Sequence, residues 1–109
     1  MDYIYNVTFM VAPSEEARLL GWLRTEALPR LFNSESPARN ASLRKVVEAG
    51  GERIGEEHAL SIALHAEFAA ESSATDWNDI YLLPVLGEFH RKFGNESAFF
   101  VTLLENLPL

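Results

Sequence analysis

His65 and Glu67 stand two residues apart in an aliphatic run, LSIALHAEFA, that occupies positions 60–69. On an extended chain, residues i and i+2 point to the same side, so an imidazole and a carboxylate share one face. Such a pair could act as a base with its orienting carboxylate, or supply two ligands to a metal. Side chains at i and i+2 on one strand run parallel rather than converge, and a metal needs further ligands from elsewhere. No His-x-x-x-His or comparable spacing supplies them: His58 stands before the same run and His90 falls in a helical segment. No metal site is expected. Polar lining of a pocket suits the pair better, and Asn6 and Thr8 add groups able to hydrogen-bond a ligand carbonyl. The alternative is that these residues satisfy each other, water or the facing strand.

Trp77, Tyr81 and His90 could wall the mouth of such a pocket, or serve as core and subunit contacts. Arg44 could neutralise an anionic ligand, or remain a solvated charge that blocks unwanted strand pairing. No phosphate loop, G-x-S-x-G elbow or cysteine is present, so nucleophilic catalysis has no carrier. The lack of cysteine also excludes disulfides, zinc ribbons and iron–sulfur ligation.

These candidates must be held by a single domain, because 109 residues suffice for one core without staples. A composition of 48% hydrophobic and 23% charged residues is that of a soluble globular chain. A formal charge of −7 argues against nucleic acid and anionic membranes as partners, since phosphates need a basic face. No apolar run approaches the roughly 20 residues of a membrane span. The opening MDYIYNVTFMV alternates and starts with an acidic residue, which leads us to expect neither a signal peptide nor an anchor, and a cytoplasmic protein.

The elements follow from periodicity. Tyr3, Tyr5, Val7, Phe9 and Val11 alternate with Ile4, Asn6, Thr8 and Met10, which predicts a first strand. APSEE ends it, with Ser14 as an expected helix cap. A first helix follows to Asn33, carrying Ala17, Leu20, Leu23, Ala27 and Leu31 as its apolar stripe. Trp22 falls almost opposite that stripe, exposed unless Pro29, which must kink or end the helix, shifts the phase. NSESPARNA reads as a connector, SLRKVVEAG as a strand, and GGERIGEE as a hairpin turn. In the third strand Leu60, Ile62, Leu64, Ala66 and Phe68 oppose Ser61, Ala63, His65 and Glu67, with His58 on the helix-facing side or in the turn. A second helix spans 71–94, with a capping box from Ser73 to Asp76, a stripe of Leu82, Leu86, Phe89 and Phe93, and Gly94 as terminator. The last strand, SAFFVTLLENL, is apolar on both faces.

The order β-α-β-β-α-β predicts an α+β, ferredoxin-like domain over residues 1–109, with both helices on one face of a four-stranded antiparallel sheet. The first and third strands should be its central pair. The other face then carries Asn6, Thr8, Ser61, His65 and Glu67 amid Met10, Ala63 and one apolar side of the last strand. Bare to water that face would be an apolar patch, and a second copy is the simplest cover for it. A sheet-to-sheet homodimer is therefore expected.

YNVTFMV, LPRLF at the end of the first helix, and FHRKFG before an apolar strand resemble a small bacterial family of unknown function. That family lies within the dimeric α/β-barrel superfamily. The resemblance implies a ferredoxin-like protomer and a dimer whose two sheets enclose a barrel-like space, but no reaction. Some members of the superfamily degrade haem, and place an asparagine on the first strand, a tryptophan early in the second helix and a histidine about three turns later. Asn6 and Trp77 match in position and kind. Three turns after Trp77 the chain reads Leu86, Gly87 and Glu88, with His90 about one turn further. No cofactor is expected. Two functions remain: a binding or interaction module with a small organic ligand on Asn6, Thr8, His65, Glu67, Trp77 and Tyr81, or a cofactor-independent monooxygenase or isomerase. In the second, Asn6 would orient an oxygen and His65 accept a proton.

Overall fold

Strand β1 (Tyr3–Val11) alternates as its pattern requires: Tyr5, Val7, Phe9 and Val11 are buried, and the residues between them are only partly covered. β3 (Leu60–Phe68) does the same, burying Leu60, Ile62, Leu64, Ala66 and Phe68. The computed structural model describes residues 2–47 and 59–109; the expected GGERIGEE turn and His58 lie outside them. With β2 (Arg39–Lys45) and β4 (Ala98–Glu105) the strands form a four-stranded sheet in the order β2-β3-β1-β4, every pair antiparallel. The architecture is α+β and compatible with a ferredoxin-like fold, with β1 and β3 at its centre.

Helix α1 (16–31) follows a short tight turn, Pro13–Glu15, and helix α2 spans 71–93. Each contains a widened stretch, Leu23–Ala27 in α1 and Asn78–Leu82 in α2, directly followed by Leu-Pro. There the Leu28 N–H donates to the Leu23 carbonyl and the Leu83 N–H to the Asn78 carbonyl, both five residues back. Proline supplies no N–H and its ring collides with the carbonyl four residues earlier, here Thr25 and Ile80. The extra residue in the turn lets the helix continue past Pro29 and Pro84. A tryptophan precedes each stretch, so Trp-x5-Leu-Pro occurs twice, at 22–29 and 77–84.

The widened turn corrects the expected stripe of α1. Ala17 is exposed and Leu20 half-buried, whereas Leu19, Trp22, Leu23, Ala27 and Leu31 are buried. A constant period of 3.6 read backward through the inserted residue lands one position late. Trp22 is not the exposed residue that pattern suggests: it is 5% exposed, among the rings of Phe9, Phe89 and Phe93. The expected caps are also absent. Ser14 sits in the tight turn without capping, and α2 starts at Glu71 behind an extended Ala70, leaving Ser73–Asp76 inside its first turns. Gly94 does end α2, at φ 79°, its N–H donating to the His90 carbonyl. β2 starts three residues before the SLRKVV run, because a bulge between Arg39 and Ser42, with Asn40 at φ 54°, lets the connector join the sheet.

Each tryptophan also ties its helix to the other. Trp77 Nε1 donates to the Leu31 carbonyl at 2.8 Å, and the Ser36 hydroxyl reaches the same oxygen at 2.7 Å. Two donors thus satisfy a carbonyl that the end of α1 leaves without a helical partner. Trp22 Nε1 donates to Glu88 Oε1 at 2.9 Å, while the Arg30 guanidinium holds the other carboxylate oxygen. The Trp22 hydrogen bond, and after it the Arg30 hydrogen bond, hold the Glu88 carboxyl below its ordinary value of 4.5. A depressed native pKa stabilises the fold above the unfolded value and ceases to as pH falls through the native one. Glu88→Gln should therefore cost about 1 kcal/mol at pH 7, since Arg30 is half exposed. In urea melts run at decreasing pH, the gap between the two proteins should close below pH 4.5.

Candidate functional site

Strand register lays the open face of the sheet out in transverse rows. Across the middle, Ser42 pairs with His65, His65 with Asn6, and Asn6 with Thr102, giving one polar row through all four strands. The next row is Arg44, Ala63, Thr8 and Phe100; on the other side stand Arg39, Glu67, Ile4 and Leu104. Alternation forces this arrangement: the residues between the buried ones on β1 and β3 face away from the helices. The large side chains beside the polar row are poorly covered, Phe100 being 61% and Leu104 45% exposed.

Two features of the row bear on chemistry. Arg44 Nη1 donates to Ser42 Oγ at 2.8 Å and lies 3.3 Å from His65 Nδ1. An arginine nitrogen can only donate, so Nδ1 is the acceptor in this contact. Asn6 Oδ1 is buried and has no hydrogen-bond partner among the described residues. A buried carbonyl oxygen left without a donor costs about 1–3 kcal/mol, a deficit that a bound donor group removes.

Residues 2–107, nearly the whole chain, match the model of a family described as Domain of unknown function (DUF4286). The chain belongs to the DUF4286 family. None of the curated proteins compared with it matches. In this DUF4286 chain, then, the chemistry has to be read from the side chains themselves.

Of the residues singled out by sequence, the fold brings Asn6, Thr8, His65 and Glu67 together on the open face. It keeps Trp77, Tyr81 and His90 on the other side of the sheet. Trp77 is fully buried against Tyr5, Phe68 and Phe32, Tyr81 packs half-buried against the core, and His90 is exposed. Among the described residues no group of three or more histidine and carboxylate side chains could hold a metal. No helix there is long and apolar enough to cross a membrane. A surface depression beside Pro13, Ala17, Leu20 and Arg24 belongs to the helix layer, away from the polar row. Two members of the row, Ser42 and Thr102, escaped sequence reasoning. Alternation along β4 does place Thr102 between Phe100 and Leu104, whereas the bulge at Asn40 hides the register of Ser42.

Proposed function

We propose that this DUF4286 chain works as a homodimeric binding module, two open sheet faces packing together around a small organic ligand. In this reading it is a cytoplasmic bacterial protein of the dimeric α/β-barrel type, and binds rather than transforms what it holds. The observation that carries the proposal is the polar row itself. Ser42, His65, Asn6 and Thr102 cross a sheet face whose neighbouring rows include Phe100, Ile4 and Leu104, and Asn6 Oδ1 lacks a donor among the described residues. Convergent polar groups within an apolar surface are the usual make-up of a ligand site.

A second copy suits the face for an electrostatic reason. The chain carries −7 overall, yet its open face holds two arginines, Arg39 and Arg44, against one glutamate, Glu67. Two copies would therefore meet across rows that carry no excess of acidic charge. Binding is favoured over catalysis because Arg44 Nη1 stands 3.3 Å from His65 Nδ1 and occupies a ring nitrogen that a general base would use to take a proton.

Light scattering on the purified chain should give twice its 12.2 kDa mass. Native mass spectrometry should then show small-molecule adducts on the dimer that vanish on denaturation. A monomer at micromolar concentration would rule the proposal out.

A further inference from the structure

We propose that the outer edge of β4 is a second self-association surface, separate from the open face, on which two copies pair antiparallel, β4 to β4, into one continuous sheet. Among the described residues no strand lies beyond β4 in the order β2-β3-β1-β4. Which of its backbone groups point outward follows from one bond. The Asn106 N–H donates to the Asp2 carbonyl at 2.8 Å, and that pair continues the β1–β4 register by one step. Hydrogen-bonded pairs alternate along an antiparallel ladder, so Leu104, Thr102, Phe100 and Ala98 turn their amides and carbonyls to β1. The bond from the Val46 N–H to the Ser61 carbonyl fixes the same phase from the opposite side of the sheet. Phe99, Val101, Leu103 and Glu105 therefore point theirs away from β1, along the outer edge.

The two edges of the sheet are built differently. β2 carries Arg39, Arg44 and Lys45 and a bulge at Asn40, features that turn away a further strand. β4 has none of these: Ala98 to Glu105 keep continuous register with β1, none is proline, and the charge of Glu105 comes only at the end. The helix layer also stops short of β4. Phe99 and Val101 lie on the helix side, opposite the fully buried Phe9 and Val7, yet are 40% and 36% exposed. An edge with a bare backbone and apolar side chains on both faces is a template for a strand of the same character.

β4 itself is such a strand, and charge favours an antiparallel copy of it. Its C-terminal end carries Glu105, with Asp2 beside it. Its N-terminal end follows the last turn of α2, where Arg91 and Lys92 stand against one glutamate, Glu96, in the connecting turn. A two-fold pairing sets Phe99 of one copy opposite Glu105 of the other and Val101 opposite Leu103, so every outward backbone group finds a partner. It also lays each acidic end beside the other copy's basic end. On the helix side Phe99, Val101 and Leu103 of the two copies then adjoin. One strand edge buries less than a standard interface, so the affinity should be modest, with a Kd on the order of 100 μM.

Amide hydrogen exchange, followed by NMR on the full chain at about 20 μM and about 1 mM, tests this. The amides of Phe99, Val101, Leu103 and Glu105 should exchange about fourfold more slowly in the concentrated sample. Those of Ala98, Phe100, Thr102 and Leu104, already bonded to β1, should not change. Light scattering over the same range should show a mass that rises with concentration. Val101→Pro removes one outward N–H, and an edge strand accepts proline where that group faces out. Val101→Lys instead adds a charge of the kind that guards β2. Both should abolish the concentration dependence, with circular dichroism to check that each variant folds. Outward amides that exchange equally fast at both concentrations, or a protection that both variants keep, overturn the edge pairing and leave the face-to-face reading standing. A chain that is monomeric when dilute, yet protects these amides when concentrated, supports the edge pairing and overturns the face-to-face reading alone.

Discussion

Replacing Trp77 by alanine should remove about 3–5 kcal/mol of folding stability. The indole is fully buried, with ring centroids 5.1 Å from Phe68, 5.7 Å from Tyr5 and 6.1 Å from Phe32. It bridges the first strand, the third strand and the end of α1, so its loss opens a void that no single neighbour can fill. Its Nε1 also donates to the Leu31 carbonyl, although Ser36 would still satisfy that oxygen. For this reason Trp77→Phe should cost less, about 1–2 kcal/mol, chiefly the hydrogen bond and part of the ring. Against a total of about 5–15 kcal/mol for a domain, the alanine variant should sit near the edge of unfolding. Urea melts should show a lower midpoint at constant slope for both variants, in that order. An alanine variant as stable as the wild type would contradict the core as described. The same burial separates Trp77 from the ligand question: its variants should change stability before they change any property of the open face.

How much of this was legible depended on whether a feature is local. Both central strands declare themselves by alternation, and alternation alone separates Val7, Phe9, Ile62 and Leu64 from Asn6, Thr8, His65 and Glu67. Helix registers were harder, because a period of 3.6 holds only while the hydrogen-bond pattern is constant. The turns before Pro29 and Pro84 insert a residue, and Trp22 consequently lies in the core. The prolines gave warning of a break but not of its form; the repeated Trp-x5-Leu-Pro was the sharper signal, since one solution serves both helices. The β2 register needed Asn40 in a left-handed conformation, which asparagine tolerates but does not announce. The polar row itself joins residues from four strands, Asn6 near one end of the chain and Thr102 near the other. Only the pairing register could bring them into line, and register is a long-range property.

If the chain dimerises as proposed, Phe100→Asp should convert the dimer to a monomer without unfolding it. The ring is 61% exposed on the open face, in one row with Thr8, Ala63 and Arg44, so the isolated protomer loses little packing when it goes. In the proposed dimer the same position would face the second sheet, and two penalties would add. Removing the buried phenyl group forfeits about 2–3 kcal/mol, and an unpaired carboxylate in its place costs several more. Because the proposed interface is two-fold symmetric, each substitution would enter it twice. Dissociation should therefore strengthen by at least about a thousandfold. A dilution series followed by light scattering reads this directly, with circular dichroism to show that the protomer stays folded. Ile80→Asp provides the contrast, since Ile80 is 65% exposed but lies on α2, in the layer on the opposite side of the sheet. It removes an apolar side chain of comparable exposure and adds the same charge, yet it should leave the dimer intact. If Ile80→Asp dissociates the dimer, or Phe100→Asp does not, the copies meet through some other surface.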